Sequence, residues 1–110
     1  AWSKPYILFT GQDMAIACSR PVYNKQNGLL GVISVDLFLS HLSRFLQNMA
    51  IGVTGRGFIM ERSGLLIASS AREKPYITSG KKKKWKRLYA AKSAIPLVRH
   101  AAEALDKQFG

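Results

Sequence analysis

One carboxylate lies at the end of an apolar stretch, where it could bind a cationic ligand. Asp36 follows the sequence Val32-Ile33-Ser34-Val35. Burying an unpaired charge is costly, so Asp36 must either face solvent or meet a partner. A cationic ligand would be one such partner. Alternatively, Asp36 has no ligand. It would then lie outside the sheet at the strand end and cap the element that follows.

The residues around Asp36 predict a hairpin. Two β-branched runs are joined by a polar loop that closes with Asn27-Gly28, a typical hairpin signal. In the second run Val32, Ser34 and Asp36 share one face, because side chains alternate along a strand. With an additional strand before the hairpin, we expect an antiparallel meander at residues 6–10, 14–23 and 29–37.

Hydrophobic periodicity predicts the elements after the meander. Leu42, Phe45, Leu46 and Met49 have the spacing of one helix face, with Ser40 as a candidate N-cap. Ser93 is the corresponding candidate for a C-terminal helix. The predicted elements are a helix at 40–49, strands at 57–62 and 65–69, an irregular basic segment at 71–92, and a helix at 96–109.

Size and composition limit the possible classes. A chain of 110 residues is one domain or part of a larger one. No apolar run approaches the roughly 20 residues that span a bilayer, and no signal peptide is evident. The start within an aromatic segment is typical of an excised fragment. The single cysteine, Cys18, excludes an internal disulfide and a cysteine-based zinc site.

Catalytic and metal-binding patterns are weak. His41 and His100 have no carboxylate or cysteine at metal-ligand spacing. The glycines of 52–57 lack the Gly-Lys-Ser/Thr ending of a phosphate-binding loop, and a strand is predicted to follow them. The six acidic residues form no cluster for acid-base chemistry. We therefore expect no enzyme activity, no metal and no cofactor in this chain.

The charge is strongly positive and unevenly placed. The net charge is +11, and much of it comes from Lys81-Lys82-Lys83-Lys84-Trp85-Lys86-Arg87. This cluster could bind phosphates, with the indole of Trp85 stacking on a base or at a lipid interface. Blocks of like charge more often form mobile solvated loops. No other nucleic-acid motif is present. We expect residues 78–87 to be the most mobile interior segment, because like charges crowd there without apolar partners.

Three segments together resemble a known family. The stretch 20–37 looks like the last two strands of the ligand-binding module of Cache domains, the extracytoplasmic sensory domains of bacterial receptors. Trp2-Ser3-Lys4-Pro5-Tyr6 resembles the aromatic-Pro-Tyr segment of that module, and 52–70 is similar to the hairpin that opens the second module of double Cache domains. The resemblance implies an α/β (α+β), PAS-like fold, with an antiparallel sheet flanked by helices. It places half of a membrane-distal module at 1–39, a connecting helix at 40–50 and part of a membrane-proximal module at 51–110.

The resemblance also implies a ligand site. In Cache domains that sense amino acids, a Tyr and, roughly thirty residues on, an Asp that binds the amino group form the downstream half of the motif. Tyr6 and Asp36 lie in the matching segments, and Trp2 opens the first of them. The chain contains no upstream half, which would hold the ligand carboxylate, and Ile7-Leu8 replaces the acidic residue that many relatives carry after this tyrosine.

The function implied is small-molecule sensing, of an amino acid or an amine, in the periplasmic or extracellular part of a membrane-anchored receptor. Its output would be a cytoplasmic kinase, nucleotide cyclase or chemotaxis module, and the full receptor could be a homodimer. We expect no nucleic-acid partner. The alternative is a small basic module that binds nucleic acid or anionic membrane through residues 81–87.

Overall fold

The computed structural model describes residues 1–8, 13–49, 51–80 and 84–110. Its fold is mixed α+β, with small antiparallel sheets and two helices, consistent with the predicted α/β PAS-like class. The chain divides into two compact units, 1–39 and 40–110. The elements are β1 (Tyr6–Ile7), β2 (Met14–Tyr23), β3 (Leu29–Phe38), α1 (Leu39–Asn48), β4 (Phe58–Met60), β5 (Leu66–Ser69), β6 (Tyr76–Ser79), β7 (Lys84–Arg87) and α2 (Pro96–Phe109).

The first unit is the predicted meander, a three-stranded sheet in the order β1-β2-β3. The β2–β3 hairpin closes through Asn27, which has a φ of 61°. The side-chain oxygen of Asn24 accepts the backbone N–H groups of Gln26 and Gly28, at 2.9 and 2.7 Å. The predicted strand at 6–10 is shorter than expected, with β1 ending at Ile7, and residues 9–12 lie outside the described part of the chain.

Helix α1 begins one residue earlier than predicted. Strand β3 runs to Phe38 and the helix starts at Leu39, so there is no loop in which Ser40 could act as an N-cap. Ser40 instead lies in the first turn of the helix. The chain therefore passes directly from the strand that carries Asp36 into α1.

The second unit has its core between the β4–β5 hairpin and α2. The buried side chains of Leu66, Ala90, Val98 and Ala102 form one cluster. The hairpin turns at Gly64, whose φ of 87° suits glycine. Upstream, a Cβ at Gly55 would collide with the carbonyl oxygen of Ile51, so this tight turn requires glycine. A strand follows these glycines, as predicted from the sequence.

The prediction of an irregular segment at 71–92 is wrong. Strands β6 and β7 form an antiparallel pair there, followed by a short 3-10 helix at Ala90–Lys92. The Tyr76 and Trp85 rings pack diagonally across the pair, with centroids 4.6 Å apart. Cross-strand aromatic contacts of this kind stabilise a strand pair. The ordered strand at 84–87 counts against a mobile 78–87 segment, and Lys81–Lys83 lie outside the described residues.

One ion pair joins the two hairpins of the second unit. Arg87 in β7 contacts the Glu61 carboxylate at 2.6 Å and donates to the Leu66 carbonyl oxygen at 3.2 Å. Both side chains of the ion pair are mostly buried, so the bond is better protected from water than a surface pair. Arg87 is thus a structural residue.

The Glu73 carboxylate, distant in sequence, accepts hydrogen bonds from residues just before α2. Glu73 accepts hydrogen bonds from the Ser93 hydroxyl and the Ala94 backbone N–H. The Ser93 hydroxyl oxygen accepts the Ile95 N–H at 3.0 Å. Ser93 was predicted to cap the helix, but the N-cap position is Ile95 and Ser93 acts two residues before it. Pro96 then begins the helix, where its missing N–H costs no helical hydrogen bond.

No helix among the described residues is long and apolar enough to cross a membrane.

We expect Glu73→Ala to lower the free energy of unfolding by about 1–3 kcal/mol, because the buried Ser93 hydroxyl loses its acceptor. Chemical denaturation of the chain would measure the change. Glu103→Ala is the matched control, since the Glu103 carboxylate lies in an exposed pair 3.6 Å from His100. Equal stability of the two variants would contradict this role of Glu73.

Candidate ligand-binding site

The register of the first sheet brings Tyr6 and Asp36 to the same face. Tyr6 pairs with Ala15 across β1 and β2, and Asp36 pairs with Ala17 across β2 and β3. Directly paired residues in an antiparallel sheet point to the same side, and so do residues two apart on one strand. Ala15 and Ala17 therefore place the tyrosine and the aspartate on one side of β2.

The two functional groups are in direct contact. The Tyr6 hydroxyl donates a hydrogen bond to an Asp36 carboxylate oxygen at 2.7 Å. This hydrogen bond, some desolvation and the charge of Asp36 all raise the pKa of Tyr6 above its ordinary value of 10.0. The contact places a phenol against a carboxylate at the end of the sheet. A cavity that encloses the pair stays a prediction.

A second pair of polar side chains continues the same face. The hydroxyl oxygens of Ser19 and Ser34 lie 2.9 Å apart on directly paired positions of β2 and β3. Each is two residues from the Ala17–Asp36 pair, so all four polar groups share one side of the sheet. Strand alternation identified Ser34 as a neighbour of Asp36. It did not identify Ser19, because only the β2–β3 register shows which β2 residue faces Ser34.

Trp2 is not brought together with the other two predicted site residues. Its backbone pairs with Cys18, the residue after Ala17, and so the register places Trp2 on the opposite face of the sheet. The Trp2 side chain is 61% exposed there. Its proposed contact with a ligand stays a prediction.

The Tyr6–Asp36 arrangement suits a cation. Within the first unit, the Asp36 carboxylate accepts a side-chain hydrogen bond from Tyr6. A carboxylate forms strong charge-assisted hydrogen bonds with an ammonium group, and a tyrosine adds a hydroxyl and an apolar wall. The described residues contain no group of three metal-ligating side chains.

A comparison with curated proteins links part of the chain to a bacterial receptor. Over 67 residues, 61% of the chain, it is 30% identical to the methyl-accepting chemotaxis protein McpC of Bacillus subtilis (strain 168). That match covers 10% of McpC, so the chain corresponds to a small part of this relative's length. The chain matches no protein-family profile. It also matches no solved structure.

Replacing the acceptor should change the titration of the tyrosine. We expect Asp36→Asn to lower the pKa of Tyr6 towards 10.0, because the phenol loses its charged acceptor. In the wild type, the stabilisation from this bond is complete below the unfolded-state pKa and is lost as the pH rises through the higher folded-state pKa. NMR of the Tyr6 ring across alkaline pH measures the shift. Asp106→Asn, in the second unit, is the control, and identical Tyr6 titration in both variants would contradict the contact.

Proposed function

We propose that this chain belongs to the sensor region of a bacterial signal-transduction receptor, and that it binds a small amine or amino acid at Tyr6 and Asp36. Two independent lines support the proposal. The chain is similar to part of a chemotaxis receptor, and its order of segments resembles the extracytoplasmic Cache sensors. Accordingly, we propose that the parent protein is membrane-anchored and presents this region outside the cytoplasm.

The single observation that carries the proposal is the hydrogen bond of Tyr6 to Asp36. A tyrosine and an aspartate thirty residues apart in sequence meet on one sheet face, and the aspartate has no cationic partner among the described residues. An incoming ammonium would supply that partner. Ser19 and Ser34 extend the polar face and could contact another polar group of the same ligand.

The position of Asp36 also suggests how ligand binding could affect α1. Asp36 lies on β3 just before Phe38, the last residue of the strand, and α1 starts at the next residue. A ligand that shifts the end of β3 would act on the first turn of α1 through covalent geometry alone. Ligand binding would then favour one of two arrangements of strand and helix, provided its affinity for the two differs.

The competing function is binding of nucleic acid or anionic membrane by the basic segment 81–87. In its favour, Lys84 and Lys86 are exposed and alternate with Trp85, so both lie on one face of β7. Against it, the Trp85 ring packs on Tyr76 and is not free to stack on a base. Steep loss of affinity with salt would indicate phosphate contacts, whereas binding of one small molecule in a desolvated pocket should be far less sensitive.

We expect Asp36→Ala to abolish amine binding, because loss of one partner of a charge pair that the bound ligand shields from water costs about 2–5 kcal/mol, at least thirtyfold in affinity. Calorimetric titration of the intact sensor region with a panel of amino acids and amines measures this. Thermal melting should change little, since the lost internal contact is one exposed hydrogen bond.

Two further variants complete the test. Tyr6→Phe removes the hydroxyl but keeps the ring, so it should weaken binding less than Asp36→Ala does. Glu103→Ala removes an exposed carboxylate from α2 and should bind like the wild type. An Asp36→Ala protein that is destabilised yet binds with wild-type affinity would exclude Asp36 as the ligand anchor.

A further inference from the structure

A cavity of about 290 Å³ lies within the second unit. One wall is a face of α1, and the other is the segment 72–76. The α1 residues of this wall share the i, i+3, i+4, i+7 spacing of one helix face. They are Ser40, Ser43, Arg44 and Gln47.

The charged groups of this cavity are unbalanced. Arg44, Arg72 and Lys74 all line it, and no ion pair is formed by any of them within the described ranges. The cavity also has one carboxylate, Glu73, but that group accepts the hydrogen bonds of Ser93 and Ala94. Three cationic side chains around one space repel each other, and a bound anion would remove that repulsion.

Ser43 adds a buried donor to the same space. Its side chain belongs to a residue only 8% exposed, and its oxygen accepts the Ser69 N–H at 3.3 Å. Across the described part of the chain, no acceptor is found for the hydroxyl proton of Ser43. A hydroxyl that is this buried usually donates as well as accepts, so Ser43 has a free donor at the wall of a cationic cavity.

The segment that carries Arg72 and Lys74 is held at both ends. The Ala71 N–H donates to the Ser69 hydroxyl oxygen at 3.1 Å, and the Leu88 N–H donates to the Pro75 carbonyl oxygen at 2.9 Å. Glu73, between the two cations, is fixed by its contacts near the start of α2. Little backbone ordering is therefore needed when a ligand binds, and this favours affinity.

We propose that this cavity binds a phosphate group. Inorganic and monoester phosphates carry between one and two negative charges near neutral pH, and a phosphodiester headgroup carries one. Each offers acceptor oxygens, which match two arginines, a lysine and a free hydroxyl donor. The phosphate could be inorganic, part of a small metabolite, or a lipid headgroup. The proposal is independent of the amine site at Asp36.

The test is an NMR titration of the whole chain with inorganic phosphate, at an ionic strength held constant with sodium chloride. We expect saturable shifts of the Ser43, Arg44 and Arg72 backbone amides. Arg44→Gln and Arg72→Gln should each weaken phosphate binding about tenfold, since each removes a charge-assisted contact. Both side chains are exposed, so neither change should impair folding.

Arg62→Gln is the matched control, because it removes an exposed arginine of the same unit that does not line this cavity. Shifts that do not saturate would exclude free phosphate as the ligand, and equal weakening by Arg62→Gln would overturn the site. Asp36→Ala should leave phosphate binding unchanged, which separates this site from the proposed amine site.

Vesicles of phosphatidylglycerol provide a second probe. Binding to them that depends on Arg72, without binding of free phosphate, would assign the phosphate to a lipid headgroup, and binding of neither would refute the proposal.

Discussion

The antiparallel register of β2 and β3 is the constraint on which the first unit depends. Nine residue pairs from Ala15–Phe38 to Tyr23–Leu29 fix it, and Asn24 closes the turn at its far end. Because side chains alternate, a shift of one residue would send Asp36 to the other face. The same register aligns Ser19 with Ser34, and pairing along the other edge of β2 separates Trp2 from Tyr6. The candidate ligand site is therefore a consequence of strand pairing.

The second unit depends on a few polar contacts between short elements. Its two-stranded sheets are too small to be stable alone, and each must be joined to something else. The Arg87–Glu61 ion pair joins the two hairpins, and Glu73 joins the segment before β6 to the start of α2. The buried cluster around Leu66 and Val98 then supplies the apolar contribution. Removing one of these carboxylates leaves buried donors unpaired, which is costly.

The basic residues are arranged differently in β7 and around the cavity at α1. In β7 the basic residues alternate with Trp85, so strand geometry separates them from the aromatic contact with Tyr76. Around the cavity at α1, cations from two elements meet without a free carboxylate. Only the second arrangement combines converging charge with a buried hydroxyl donor, at Ser43. A run of lysines in a sequence therefore indicates a binding site less well than a few cations that the fold brings together.

The sequence by itself determined the elements with strong local signals. The hairpin at Asn27-Gly28, the stripe of α1 and the helix that starts at Pro96 follow from turn chemistry and apolar periodicity, which are local. It also limited Asp36 to two settings, exposure to solvent or contact with a partner. The tertiary structure determined the contacts between residues distant in sequence, which local patterns do not encode. Strand pairing brought Tyr6 to Asp36 and put Trp2 on the other face. The Tyr76 and Trp85 rings pack across the strand pair that contains basic residues of β7. Glu73 forms hydrogen bonds with Ser93 and Ala94, just before the N-cap of α2. Each of these outcomes joins residues distant in sequence, and their energies depend on geometry that exists only after folding.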